Sequence, residues 1–307
     1  MRISSSLFVL SIVLWAPAAG REIYVDNVAG DDTFTGRQDR NTGDRAGPVR
    51  TIAKALRLAS SGDVIVLADN DEPYRESFSL VGNRHSGYPQ QAFTIAGNGA
   101  TLDGSVPVPQ GAWEHYRGAV FRFRPRQMGP QQLFINDRPA VRVVGGWTSG
   151  SPPRLRPLQW CVHEGYIYFC VEPEKLPDNY GLTYAKLQTG ITLYHVQGVT
   201  ISNLTVQGFR IDGINAQNSA RDVYIYEVTA RGNGRAGITV GGASKVTIKV
   251  GVLGNNGQAQ LLTLPHSKTF LRETQMFSNT APAWVDRGGS VTADGQSIEG
   301  GIDDFQP

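Results

Sequence analysis

The 307-residue sequence predicts an all-β protein wound as a parallel β-helix, and three observations lead there. Glycine is abundant at 36 residues, which favours many tight turns over long helices. Four consecutive segments in the second half copy one another at spacings of 24, 23 and 23 residues. Each copy breaks into strands of three to five residues, too short to bury their apolar side chains unless the copies stack.

The copies are "VTISNLTVQGFRIDGINAQNSARD" from 199, "VYIYEVTARGNGRAGITVGGASK" from 223, "VTIKVGVLGNNGQAQLLTLPHSK" from 246 and "TFLRETQMFSNTAPAWVDRGG" from 269. Their third position holds Ile201, Ile225, Ile248 and Leu271, and their sixteenth holds Ile214, Ile238, Leu261 and Trp284. Strands of successive turns sit about 4.8 Å apart, so like residues fall above one another in inward-facing files. Asn233, Asn256 and Asn279, after Phe209, share the eleventh position and read as a side-chain hydrogen-bond ladder along the stack.

The elements follow in chain order. Residues 1–20, "MRISSSLFVLSIVLWAPAAG", combine Arg2, an apolar run from Leu7 to Ala16 and small residues at Ala16, Ala18 and Gly20. That is the pattern of a secretory signal peptide cleaved near Ala18 to Gly20, and the run is too short to span a bilayer. The expectation is an exported monomer without a transmembrane segment. A net charge of +2 argues against a nucleic-acid partner.

Residues 21–105 supply an N-terminal cap and the first coils. A helix begins after Thr51, with Ile52, Ala55, Leu56 and Ala59 as its apolar face. The loop before it carries Asp26, Asp31, Asp32, Asp39 and Asp44. Hard oxygen ligands of this kind suit calcium, but the spacing matches no EF-hand, and a glycine-rich capping loop explains them as well. No cofactor is assigned on this basis, and calcium stays open.

Residues 106–190 break the period and read as irregular strands plus an inserted hairpin, "CVHEGYIYFC", flanked by Cys161 and Cys170. A turn at Gly165-Tyr166 sets the two cysteines opposite each other and permits a disulfide. A turn at Glu164-Gly165 sets Cys161 against Tyr168 and permits none. Regular coils occupy 191–289. The tail, 290–307, is expected to cover the open end of the stack.

The repeat, together with the order of extended start, amphipathic helix and first coils, resembles the right-handed parallel β-helix superfamily. Pectate lyases, polygalacturonases and alginate or chondroitin lyases belong to it. The likeness runs from about Ile23 to Gly289 and implies a substrate groove along one sheet. "DGIN" at Asp212 to Asn215 resembles part of the polygalacturonase "NTDGID" element and falls on the groove strand. The rest of that pattern is missing: the next coils have Arg235-Ala236-Gly237-Ile238 and Gln258-Ala259-Gln260-Leu261. Glycosidases generally use two carboxyl groups, and no second one stacks on Asp212.

A lyase needs a cation or calcium to neutralise a uronate and a base to take a proton. The candidate catalytic residues are therefore Asp212, Arg210 and Arg235, with Asn215 and Thr239 as substrate contacts beside them. A second outward column, Ser202, Tyr226, Lys249 and Arg272 with Tyr224 and Phe270 near it, adds Tyr226, Lys249 and Arg272 as binding candidates. Each has a plainer reading: Asp212 as a turn residue accepting backbone N–H bonds, the others as solvated surface. The implied function is a secreted carbohydrate-active protein, a lyase acting by β-elimination on an acidic polysaccharide. A non-catalytic glycan-binding or adhesion module is the alternative, and a glycoside hydrolase a further one.

Overall fold

The computed structural model describes residues 20–127, 129–145 and 151–299. The expected leader, Gly20 apart, lies outside them. Among the described residues no helix is long and apolar enough to cross a membrane.

Period-2 alternation gives each short segment one apolar face, and stacking turns those faces into a common interior. The first wall pairs Glu22–Val25, Val64–Leu67, Phe93–Ala96, Gln197–Gln207, Arg221–Arg231, Lys245–Lys249, Lys268–Arg272 and Ser290–Ala293, all parallel. The second wall pairs Phe78–Val81, Ile191–Tyr194, Asp212–Asn218, Ala236–Val240, Ala259–Thr263 and Trp284–Asp286, also parallel.

The predicted file is continuous and longer than the four copies. Ile23, Ile65, Ile95, Ile201, Ile225, Ile248, Leu271 and Ala293 stand in register and are buried. Burying one such branched side chain contributes about 1.5–3 kcal/mol, so this interior is the main source of stability. A second file runs Phe78, Ile191, Ile214, Ile238, Leu261 and Trp284.

Two strands of the first wall, Gln197–Gln207 and Arg221–Arg231, bend halfway at single left-handed residues. Asn203 (φ 49°), Glu227 (φ 53°), Val250 (φ 53°) and Glu273 (φ 48°) make this corner in four successive coils. Beyond it the chain forms a third wall with Thr101–Asp103, Val252–Gly254 and Gln275–Met276.

The asparagine ladder forms in part. Asn256 Oδ1 accepts from the Asn233 backbone N–H at 2.9 Å and from Asn233 Nδ2 at 3.1 Å, and Asn233 Oδ1 accepts from the Phe209 N–H at 3.2 Å. Asn279 does not join. It is exposed and pairs with Asn255, one position off the interior column, while Gln260 takes the next inner place and accepts from Asn256 Nδ2 at 2.8 Å. Gly213 and Gly237 make room for the ladder: a Cβ at either would meet Nδ2 of Asn233 or Asn256 at 2.8 Å.

The helix spans Ile52–Leu58, with Thr51 Oγ1 accepting from the Lys54 N–H at 3.0 Å. Ile52, Ala55, Leu56 and Ala59 are buried against the first coils. Three of the five carboxylates in the loop before it are occupied by N–H donors. Asp26 accepts from Val28 and Ala29, Asp31 from Thr33, and Asp32 from Arg50 and Thr51. Among the described residues no three metal-ligating side chains converge.

The insertion is larger than one hairpin. A five-stranded sheet, Glu114–Arg117, Val120–Phe123, Tyr166–Cys170, Gln159–His163 and Val141–Arg142, packs on a four-stranded one. They enclose a core of their own around Phe123, Leu133, Trp160, Ile167 and Phe169. Of the two hairpin registers the second holds: Glu164 (φ 47°) and Gly165 (φ 80°) form the turn, and Cys161 faces Tyr168. Cys161 and Cys170 are therefore diagonal neighbours with free, buried thiols, which corrects the disulfide that the other register allows.

The tail adds Ser290–Ala293 as a last parallel rung. It then folds back as Gln296–Ile298, an antiparallel strand that covers the stack edge.

Candidate functional site

The strand Asp212–Asn218 and the turn before Ala236 bring three of the predicted residues together. Arg235 donates from Nε to Asp212 Oδ1 at 2.9 Å and from Nη2 to Oδ2 at 2.6 Å. Asn215 Nδ2 donates to the same Oδ2 at 2.7 Å. Asp212 is fully buried, whereas the Arg235 side chain is 30% exposed. The carboxylate raises the guanidinium's pKa further.

The Asp212 oxygens accept three side-chain hydrogen bonds, and the next two positions of its column are Ala236 and Ala259 rather than a second carboxylate. Such a carboxylate holds two coils together.

Thr239 stacks on Asn215 and is buried, its hydroxyl without a hydrogen-bond partner among the described residues. Arg210 is 9% exposed; its N–H donates to Leu187 O at 2.8 Å, and Gly129 of the insertion packs near its Nη1. Arg210 thus sits under the insertion at one end of the Asp212 cluster.

The second column forms as expected on the opposite flank. Ser202, Tyr226, Lys249 and Arg272 are in register across four rungs, and Thr200, Tyr224, Thr247 and Phe270 form a parallel column beside them. Tyr224 (54%) and Tyr226 (38%) are exposed, large aromatics on a flat sheet. Lys249 Nζ lies 5.9 Å from the Tyr226 ring centroid and 3.9 Å from Glu273 Oε1. A hydrogen bond to Glu227 raises the Tyr226 phenol above its ordinary value.

A partly buried polar chain escapes the repeat pattern. Arg231 Nε donates to Gln207 Oε1 at 2.8 Å, Gln207 Nε2 to Asp103 Oδ2 at 3.0 Å, and Arg75 Nη1 lies 3.8 Å from the same oxygen. Asp103 precedes the regular copies in sequence, so only the register between Thr101–Asp103 and Thr205 to Gln207 reveals the link.

Residues 189–299 match the family model described as "Right handed beta helix region". This chain is a right-handed parallel β-helix. Among solved structures, the β-helix is similar to one described as "Glycoside hydrolase", with 12% identity, TM-score 0.57 and coverage of 84% of this chain and 73% of that one. It also matches a structure described as the complex of XylC with xylose, at 12% identity, TM-score 0.42 and 88% and 68% coverage. A GH136 lacto-N-biosidase from Eubacterium ramulus matches at 11% identity, TM-score 0.42 and 83% and 41% coverage. At these identities the first likeness establishes the fold alone. No curated protein sequence matches the chain.

Proposed function

We propose that this β-helix is a carbohydrate-active protein that engages an acidic polysaccharide on the exposed face of its first wall. The observation that carries this reading is the in-register column of Tyr226, Lys249 and Arg272, with Tyr224 and Phe270 beside it. Exposed aromatic rings stack on the apolar face of a sugar, and ammonium and guanidinium groups pair with its carboxylates. Repetition of these groups at the strand spacing suits a polymer better than a single small molecule. On the second wall, the three donors to Asp212 support a structural role there and count against its serving as a glycosidase acid or nucleophile.

β-Elimination is a second reading, favoured by Lys249 and Arg272 standing on adjacent rungs. Arg272 would neutralise the uronate, and Lys249 in its unprotonated form would take the α-proton while the bond from the β-carbon to the glycosidic oxygen breaks. That oxygen leaves with the electron pair, to be protonated by water.

The protein incubated with pectin, alginate, chondroitin and neutral glycans, with and without calcium, tests both readings. Binding to the acidic polymers is expected. Absorbance from a new unsaturated bond would establish elimination, and reducing ends without unsaturation would establish hydrolysis instead. No binding to any acidic polymer would end the proposal.

A further inference from the structure

We propose that a cleft at the edge of the first wall, between Tyr88 and Tyr224, is a subsite for one neutral pyranose. The inference rests on the carbohydrate reading above and deepens it.

The open cleft holds about 280 Å³, just below the usual range for small-molecule pockets and suited to one sugar ring rather than several. Its two walls are aromatic. Tyr88 is 58% exposed and Tyr224 is 54% exposed, yet both line the same cavity. Solvent-facing tyrosines flanking a concavity present apolar ring faces that only a ligand would cover.

Backbone hydrogen bonds pin the loop that carries one of these walls. Tyr88 and Gln91 exchange backbone hydrogen bonds at 2.8 and 3.0 Å, closing a tight loop, and the Gly87 N–H ties that loop to Gln197 O at 2.8 Å. Tyr224 belongs to the rung beyond, since Gln197 pairs with Arg221 and Thr200 with Tyr224. Tyr88 and Tyr224 therefore flank the rung of Gln197 and Gly198 from its two sides. The rung between them carries Gly198, which has no side chain, lines the cleft and leaves the gap open.

The polar lining chooses the kind of sugar. Asp222 and Gln197 face the cleft, and the hydrogen bond from Gln197 Nε2 to Asp222 Oδ2 is long at 3.5 Å. A carboxylate with an amide beside it accepts from and donates to vicinal hydroxyls, and it repels a uronate. Lys245, one rung further, is turned toward the Phe270 ring at 5.8 Å. A glycan running down the stack would then place a neutral residue at Tyr88 and acidic residues at Lys249 and Arg272.

Calorimetric titration of the protein with cellohexaose, xylohexaose and mannohexaose, alongside hexagalacturonate, tests this. At least one neutral hexasaccharide should bind. Tyr88→Ala and Tyr224→Ala should each weaken it roughly tenfold, and Tyr88→Phe, which keeps the ring, should restore it to within about twofold. Asp222→Asn should weaken it severalfold. Circular dichroism of these exposed-site variants checks that the fold survives. Absence of binding by all three neutral probes, or unchanged affinity in both alanine variants, would overturn the subsite. Failure of hexagalacturonate to bind would instead count against the acidic-polymer reading.

Discussion

Arg235 grips Asp212 through two parallel hydrogen bonds across one rung of the stack, and the two partners differ sharply in their access to water. Asp212 is wholly buried, and the guanidinium is 30% exposed.

That difference predicts an asymmetry. Arg235→Ala strands a buried carboxylate with Asn215 as its remaining side-chain donor, and is expected to cost about 3–5 kcal/mol. Asp212→Ala leaves a guanidinium that reaches solvent, and should cost about 1–3 kcal/mol. Urea unfolding midpoints measure both. Equal losses, or a larger loss for Asp212→Ala, would mean that the pair does not fasten the coils in the way its geometry implies.

The capping helix makes stability depend on pH through His85. Its Nδ1 accepts from the Val81 N–H at 3.1 Å and its Nε2 lies 3.1 Å from Leu56 O, an arrangement that requires the neutral ring. Burial, first, and Arg84 lower its pKa below the ordinary 6.5. The unfolded chain therefore binds the proton more readily. The contribution is fully present above pH 6.5 and is lost as pH falls through 6.5 toward the folded value. Unfolding midpoints should drop between pH 7.5 and 5.5 in the wild type, and less in His85→Gln. Parallel curves for the two proteins would dismiss the effect.

Val250 is a β-branched residue held at φ 53° in a corner where the coil above the neighbouring Glu227 has Asn203. The left-handed conformation costs a side chain of this shape about 1–2 kcal/mol. Val250→Asn should raise the unfolding free energy by roughly 0.5–1 kcal/mol, read as a higher thermal midpoint. A lower midpoint would mean that contacts of the half-buried Val250 outweigh the strain.

The hairpin register predicts thiol chemistry. Burial pushes the Cys161 thiol up to about 12 and also raises Cys170. Neither should react with a thiol reagent at neutral pH in the folded protein, and both should react in guanidinium without any reductant. A requirement for reductant would restore the disulfide.

Acidic-glycan binding through Lys249 and Arg272 should weaken with salt, because both are exposed and screened over about 8–10 Å at moderate ionic strength. Affinity for polygalacturonate at 50 and 500 mM sodium chloride, in the wild type and in the Lys249→Ala/Arg272→Ala double variant, measures this. The variant should bind more weakly and show a flatter salt dependence. An unaltered slope would move the acidic site elsewhere.

The stack was legible from the repeat alone. Identical inward positions such as Ile201, Ile225, Ile248 and Leu271 recur at a fixed period, and a residue that must be apolar in every coil leaves a mark that needs no knowledge of distant contacts. The helix was equally legible, because Thr51 and the spacing of Ile52, Ala55, Leu56 and Ala59 act within two turns. The hairpin was legible only as a choice between two registers, since either turn satisfies the local pattern and the packing of Ile167 and Phe169 against the insertion's core selects one.

The remaining contacts depend on how the coils meet in space. Gln260, four residues on around a turn, occupies the place beside Asn256 that the repeat assigns to Asn279. Arg235 found Asp212 because stacking puts residues 23 apart in sequence one rung apart in space, where a charge pair can form that no local spacing announces. Tyr88 and Tyr224 are 136 positions apart, and only the pinned loop at Gly87 and the bare rung at Gly198 bring them to one cleft. Periodic burial is written into every copy; the meeting of polar and aromatic side chains between coils depends on register, which the fold sets as a whole.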